Sequence, residues 1–259
     1  MRFATFRIRK KDRPTIGLFL DGKYADLHAL SEGALPDNML AFLEMGASAL
    51  AEAGKIRARL GAAPGGSPHV YSESDIELCA PVPRPGKIMH TSCNFGSHLA
   101  ELTKWEAPEW QSHNWGSFHF EHPTGFLEAP SCVSAPGAKV AVPHFTRQLD
   151  YEIEIAIVIG KRAFRVPVDK AMDYVAGYTI FNDLSARDIQ AREHANKVIL
   201  LGKSFDGSCP FGPHLVTADE LSDPHNLDMK LRVNGVVRQN SNTAQMHYKT
   251  RELVSWWSN

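Results

Sequence analysis

The chain of 259 residues has few cysteines, almost no net charge and no long apolar run. Its four cysteines stand far apart, without the Cys-x-x-Cys spacing of zinc and redox sites, so we expect free thiols and a cytoplasmic location. A formal net charge of −1 excludes the basic surface that favours nucleic acid. No apolar stretch reaches membrane-spanning length and the N-terminus lacks a signal-peptide core, so no membrane partner is expected.

The composition that remains is that of a globular protein with a real core, 43% hydrophobic and 22% charged. Alternating residues predict three antiparallel strands at 3–8, 15–20 and 24–27, and helical periodicity follows at 40–60, broken near Gly46 and Gly54. We therefore predict a small N-terminal α+β domain over residues 1–65, a linker over 66–80 and a catalytic domain over 81–259.

A strand with two carboxylates at its start is the most informative segment of the chain. From Ile153 to Gly160 the residues are β-branched and apolar, but Glu152 and Glu154 stand two residues apart at the beginning. Side chains alternate between the faces of a strand, so both carboxylates are expected on one face. Two neighbouring carboxylates repel each other, and a divalent cation between them would relieve that repulsion.

Glu-x-Glu is also common on solvated strand faces, which is the simpler interpretation of this pair. A solvated strand would alternate along its whole length, whereas this one is apolar on both faces from Ile155 onward, which predicts a central strand. Asp183 follows a second strand at a polar turn. Three carboxylates without cysteine or histidine predict a hard cation, Mg²⁺ or alternatively Mn²⁺ or Ca²⁺.

Three further polar residues follow Asp183 and suit an anionic substrate. Arg187 offers a planar fork, Gln190 an amide and Lys203 a point charge. The alternative is ordinary, because Arg187 could pair with Asp188 at the surface and Lys203 could be a solvated loop residue.

Several of these motifs together resemble the fumarylacetoacetate hydrolase family. The matching segments are Glu152-Ile-Glu154, Asn182-Asp183-Leu-Ser-Ala-Arg187-Asp188-Ile-Gln190, Lys203-Ser-Phe-Asp, Arg232-Val-Asn234-Gly235 and Asn94-Phe-Gly-Ser-His98-Leu-Ala-Glu101. The resemblance covers about residues 80–259. It implies a mainly β, α+β fold in which a rolled mixed sheet forms a flattened barrel, and it implies a homodimer.

The resemblance also assigns a catalytic role to His98 and Glu101. Three residues apart on a helix, they share a face, and a carboxylate beside a histidine raises the basicity of the ring. Without the resemblance, such a pair would be interpreted as a solvated surface pair. With it, His98, Glu101 and Lys203 are the predicted catalytic residues, Arg187 and Gln190 bind the substrate, and Glu152, Glu154 and Asp183 hold the metal.

The predicted function is metal-dependent hydrolysis of a C–C bond in a 2,4-diketo acid of the fumarylacetoacetate or acylpyruvate type, in the breakdown of aromatic compounds. The same residues would also serve an oxaloacetate decarboxylase or a 2-oxo acid isomerase or tautomerase, which is the alternative. A binding protein without activity is a third hypothesis, against which the retained metal and histidine residues argue.

Two segments depart from the family's pattern. Residues 103–126 are rich in tryptophan and histidine, and we expect them to shape the substrate pocket or a dimer contact. The family's closing Pro-Gly-Asp turn and Gly-Thr-Pro loop are not found before Asn259, so we expect the printed chain to be truncated.

Overall fold

The computed structural model of the protein describes residues 1–9, 13–61, 67–105, 110, 121–221 and 223–259. Within them lie these strands: β1 (Arg2–Ile8), β2 (Pro14–Leu20), β3 (Lys23–Asp26), β4 (Val70–Ser72), β5 (Ile76–Cys79), β6 (Ile88–Thr91), β7 (Gly125–Glu128), β8 (Val133–Ser134), β9 (Leu149–Asp150), β10 (Ile153–Ile159), β11 (Val175–Asn182), β12 (Ser185–Ala186), β13 (Cys209–Pro210), β14 (Leu215–Thr217), β15 (Asp228–Val233) and β16 (Val236–Asn242). The α-helices are α1 (Leu27–Leu30), α2 (Met39–Met45), α3 (Ala47–Leu60), α4 (Gly96–Leu102), α5 (Arg187–Ala195) and α6 (Thr250–Trp257).

The N-terminal strands follow the alternating sequence pattern closely. β1, β2 and β3 form the predicted antiparallel meander, in which Asp21 and Gly22 supply the two positive-φ residues of a tight turn. The predicted helical segment divides at Gly46, where φ is +59°, into α2 and α3. The predicted break at Gly54 is wrong: α3 continues through it, because the helix buries Ala53 and Ile56 against the core and this packing outweighs the low helix propensity of glycine.

One eight-stranded sheet combines strands from the N-terminal part of the chain with strands from its second half. Its order is β10-β11-β14-β1-β2-β3-β4, and β5 also pairs with β1. The main core lies on this sheet and under α2 and α3, around Phe3, Leu18 and Phe42. The fold is a strand-rich mixture of α and β, as predicted.

Strands from both sides of the predicted domain boundary belong to this sheet, because β1 pairs with β14. The range 66–80, predicted as a linker, contains β4 and β5. The division into two domains stays a prediction. No helix in the described part of the chain is both long and apolar enough to cross a membrane.

The strand that carries the carboxylates, β10, lies at the end of the sheet among the described strands, so its predicted central position is wrong. Its two faces are apolar for another reason. Ile155 and Ile157 pack on a cluster around Val254, whereas Ala156 and Val158 pack on the main core. Each face of β10 therefore packs against a different apolar layer. For this reason its sequence looks like that of a central strand, although in the described part of the chain β10 has a neighbouring strand on one side only.

Candidate active site

The three predicted metal ligands are brought together by the pairing of β10 with β11. Glu152 lies directly before β10, Glu154 lies within it, and Asp183 follows β11. The backbone N–H of Asp183 donates to the carbonyl of Glu152 at 2.8 Å, which sets these two residues side by side. The Gln239 side chain accepts from the backbone N–H of Ile153 at 2.8 Å and anchors the start of the strand.

All eight predicted site residues line one open cavity of about 1140 Å³: His98, Glu101, Glu152, Glu154, Asp183, Arg187, Gln190 and Lys203. Residues from four separate stretches of the chain therefore meet at one place. The chemical roles assigned to them stay predictions.

Lys203 is the buried cation of the cluster. Its ammonium donates to Glu152 Oε2 at 2.5 Å and to Asp183 Oδ2 at 2.7 Å, and only 2% of its side chain is exposed. Burial opposes its charge, but Glu152 and Asp183 outweigh burial and raise the pKa of Lys203. The lysine is therefore charged in the cavity, and the solvated-loop interpretation is wrong.

Arg187 is held by protein groups on all three of its nitrogens. Nε donates to Asp150 at 2.9 Å, Nη1 donates to the Gln190 side chain at 3.0 Å, and Nη2 donates to Glu152. The alternative surface pair with Asp188 is not formed, because Asp188 accepts from Thr146 and from the backbone of Arg147 instead. This arrangement supports a role for Arg187 in holding Glu152.

The carboxylates differ sharply in their tendency to ionise. Burial opposes the charge of Glu152, but Arg187 and Lys203 outweigh it and hold the pKa of Glu152 well below its ordinary range. Burial and the neighbouring charges of Glu152 and Asp183 raise the pKa of Glu154 to about 8. Burial also raises the pKa of Asp183 to about 6, against the attraction of Lys203. The cluster thus has more carboxylates than its nearby cations can neutralise.

This excess of carboxyl groups fits a divalent cation, whose charge would favour their ionised forms. Asp183 Oδ1 is buried and has no hydrogen-bond partner, so one oxygen of the cluster is left for a ligand. Carboxylate oxygens are the donors that Mg²⁺ and Mn²⁺ prefer. Among the described residues, the group whose ligand atoms all lie within 4.8 Å of one another is His90, Glu128 and Asp183, a spacing that could hold a metal ion. Of the three predicted ligands, only Asp183 belongs to it.

His90 and Glu128 were missed by the sequence reasoning. His90 lies on β6 and Glu128 ends β7, and both are close to Asp183 in space. The only sequence signal is a single glutamate between Leu127 and Ala129, and a lone charged residue at a strand end is usually solvated. Here it is completely buried, which only the tertiary structure reveals.

His98 and Glu101 lie on α4 and face each other as predicted. His98 Nδ1 is 3.4 Å from Glu101 Oε2, and both side chains are partly exposed. His98 is among the groups that lower the pKa of Glu152, so the histidine lies near the carboxylate cluster. The helix therefore presents the pair at the mouth of the cavity.

The tryptophan-rich segment 103–126 lies largely outside the described residues. Of its described members, Trp105 packs its ring over the Arg187 guanidinium, 5.0 Å from Cζ to the ring centroid. Trp110 meets Trp105 edge-on at 5.1 Å, is buried and lines the cavity. These contacts support the prediction that the segment shapes the pocket.

Comparisons with known proteins identify the family and several relatives of this chain. Residues 87–259 match the family described as fumarylacetoacetate (FAA) hydrolase C-terminal. The mitochondrial oxaloacetate tautomerase of Xenopus laevis is 39% identical over 260 residues, which are 100% of this chain and 75% of that protein. A mitochondrial oxaloacetate tautomerase of Homo sapiens is 36% identical over 261 residues, 100% of this chain and 76% of that protein.

Solved structures show the same fold. Maleylpyruvate hydrolase from Sphingobium sp. SYK-6, in complex with manganese(II) and pyruvate, superposes with a TM-score of 0.74 at 27% identity, covering 100% of this chain and 83% of that one. Fumarylacetoacetate hydrolase from Exiguobacterium antarcticum gives a TM-score of 0.74 at 28% identity, covering 100% of this chain and 81% of that one.

Proposed function

The chain belongs to the fumarylacetoacetate hydrolase family, and we propose that it is an enzyme that interconverts the keto and enol forms of oxaloacetate or a similar 2-oxo dicarboxylic acid. The observation that carries the proposal is the buried Lys203 ammonium between Glu152 and Asp183. Enolisation places negative charge on the 2-oxo oxygen, and a fixed cation in a partly dry cavity stabilises that charge. The names of the two curated relatives support the choice of tautomerisation.

Glu152, Glu154 and Asp183 are the residues that would hold a divalent cation, Mg²⁺ or Mn²⁺. When bound, the cation supplies a Lewis acid that polarises the 2-oxo carbonyl of the substrate. Arg187 and Lys203 keep Glu152 ionised in the meantime, so that part of the ligand set is ready before the cation arrives.

Proton transfer falls to His98. Glu101 faces Nδ1, which orients the ring and directs Nε2 toward the substrate. Nε2 takes a proton from C3 of the keto acid, which gives the enolate. The enolate oxygen takes a proton from water to give the enol, and His98 returns its own proton to water. The reverse direction retraces these steps. Lys203 donates a hydrogen bond to the carbonyl oxygen while the charge there grows, and Trp105 and Trp110 limit access of water to the cavity.

Hydrolysis of a 2,4-diketo acid is the second candidate function. It is favoured by the likeness to maleylpyruvate hydrolase, whose structure contains manganese and pyruvate. In this reaction His98 would remove a proton from water instead of from carbon, and the hydroxide would attack the distal carbonyl at C4. The C3–C4 bond would then break, releasing a carboxylic acid and the enolate of a 2-oxo acid, which takes up a proton at C3. The partial exposure of His98 and Glu101 is compatible with a water molecule at that place.

The deciding experiment follows the ultraviolet absorbance of enol-oxaloacetate and of a panel of acylpyruvates, with Mn²⁺ and then with EDTA. We expect the enzyme with Mn²⁺ to make the enol form decay faster than it does spontaneously, and to release no pyruvate. EDTA should abolish this acceleration. His98→Gln should slow the reaction about 100-fold or more, as expected for loss of a general base. His225→Gln, which replaces a histidine outside the cavity, should leave the rate unchanged.

Two outcomes would redirect the assignment. Cleavage of an acylpyruvate, with oxaloacetate changing only at its spontaneous rate, would establish the hydrolase instead. Equal rates for the wild type and His98→Gln would remove His98 from the mechanism, whichever substrate is used.

A further inference from the structure

A partly buried histidine, His90, and a fully buried glutamate, Glu128, stand next to the predicted metal ligand Asp183. His90 Nδ1 lies 3.3 Å from Asp183 Oδ2, and His90 Nε2 lies 2.8 Å from Glu128 Oε2. Ser208 donates to the other Glu128 oxygen at 2.9 Å. The four side chains form one continuous line from Ser208 through Glu128 and His90 to Asp183.

The strand pair β6–β7 places these two residues on one face of a small sheet. His90 stands opposite Phe126 and Ile88 stands opposite Glu128, so His90 and Glu128 are diagonal neighbours. The His90 ring stacks on Phe126, with centroids 4.6 Å apart and planes within 3°, and meets Phe181 edge-on at 5.3 Å. The two aromatic rings hold the imidazole plane in one orientation.

The burial of the Glu128 carboxylate lowers the stability of the fold, and a role in the site would explain why the residue is there. Its side chain has 0% exposure, and desolvation of a carboxylate in an apolar interior is expensive even when the group is paired. An apolar pair of the same size would be at least as good for stability at this position. The contacts of Glu128 instead lead through His90 to a single acceptor, Asp183 Oδ2.

Only one of the two carboxylate oxygens of Asp183 therefore has protein partners among the described residues. Oδ2 faces His90 and Lys203, whereas Oδ1 is buried without a hydrogen-bond partner. A carboxylate anchored in this way cannot rotate freely, and its second oxygen is left without a protein partner in the described part of the chain. Second-layer hydrogen bonds of this kind orient metal-binding carboxylates in many proteins, and their loss weakens metal binding about 10- to 100-fold.

We infer that Glu128 and His90 are positioning residues that orient the Asp183 carboxylate toward the divalent cation. The inference rests on the cation site of the proposed function and deepens it. His90 does not touch the reacting atoms in this arrangement, and Glu128 acts through His90. His90 and Glu128 hold the Asp183 carboxylate in the same orientation with and without the cation.

Binding of Mn²⁺ alone, without substrate, tests this inference. We expect Glu128→Gln and His90→Gln to weaken Mn²⁺ binding about tenfold or more by calorimetric titration. Ser208→Ala, which removes only the hydroxyl, should have a smaller effect in the same direction. His214→Gln is the matched control, because His214 is a half-buried histidine that bonds Tyr24 away from the cavity. Unfolding temperatures in EDTA separate loss of fold from loss of positioning.

Electron spin-echo spectroscopy of bound Mn²⁺ gives a second measurement, made on the wild type and on His90→Gln. A strong coupling to a histidine nitrogen, lost in His90→Gln, would make His90 a direct metal ligand and overturn the positioning role. Unchanged Mn²⁺ affinity in both Glu128→Gln and His90→Gln would overturn it too, and so would a wild type that binds no Mn²⁺. If Mn²⁺ binds as expected but oxaloacetate is not turned over, the proposed function fails while this inference stands.

Discussion

Lys203 illustrates how a single buried charge organises this site. A lone ammonium in a protein interior would lose its proton or destabilise the fold. Two short contacts to Glu152 and Asp183 prevent this, and Arg187 adds a second positive charge on the other side of Glu152. Removal of Lys203 would therefore leave Asp183 with only His90, and Glu152 with only Arg187, as a charged partner among the described residues. Breaking a buried pair in this way typically costs about 3–5 kcal/mol.

At the same scale, Glu154 gives the metal-free protein a defined pH dependence. Its pKa is raised from the ordinary 4.5 to about 8, so the folded state holds this proton more tightly than the unfolded state does. The resulting stability is fully present below about pH 4.5 and is lost as the pH rises through about 8. The loss from this one group is at most ~1.4 kcal/mol per pH unit.

We therefore expect the unfolding temperature in EDTA to fall across this window in the wild type, and to fall less in Glu154→Gln, which cannot release the proton. Thermal unfolding followed by circular dichroism at several pH values measures both slopes. Glu77→Gln, at an exposed position, is the control and should follow the wild type. Parallel slopes for the wild type and Glu154→Gln would contradict the raised pKa.

At the scale of elements, the loop that carries Lys203 depends on one helix residue. Glu193 near the end of α5 accepts from three successive backbone N–H groups, Leu200 at 2.9 Å, Leu201 at 2.7 Å and Gly202 at 3.0 Å. Gly202 also packs so closely on Gln190 that an added Cβ would lie 2.7 Å from the Gln190 Cα. The loop is thus held against α5 from both sides, and Lys203 follows directly.

We expect Glu193→Ala to loosen this loop and lower activity through Lys203, with a stability loss of about 1–2 kcal/mol because the bonds are partly exposed. Hydrogen exchange of the amides at 200–202 should rise, and kcat should fall more than KM rises. Arg192→Ala, which changes the exposed neighbour on the same helix, is the control. Unchanged exchange in Glu193→Ala would show that the loop is held by other contacts.

At the scale of the whole molecule, the continuous sheet predicts cooperative unfolding. β1 pairs with β2, with β5 and with β14, and β14 pairs with β11 beside the carboxylate strand. Unfolding of the N-terminal strands would expose both the main core and the edge of β14. We expect a single calorimetric transition whose calorimetric and van't Hoff enthalpies agree. Two separate transitions would instead support independent domains at 1–65 and 81–259.

The predicted homodimer, the cytoplasmic location and the domain boundary stay predictions. The sequence pattern was enough for the local elements, as the meander β1–β3 shows, because alternation and turn residues act over a few positions. The sequence pattern did not predict that β10 lies at the end of the sheet. A strand at the end of a sheet with an apolar layer on each face has the same apolar pattern as a central strand.

The candidate site could likewise be predicted only in part from the sequence. Residue type and spacing were sufficient to select Glu152, Glu154, Asp183, Arg187, Gln190 and Lys203. The family resemblance was needed for His98 and Glu101, and all eight residues line one cavity. Only the tertiary structure revealed that Arg187 holds Glu152 and that Glu128 and His90 stand next to Asp183. The chemistry of a side chain is present in the sequence, whereas its burial and its partners depend on contacts between residues far apart in the chain.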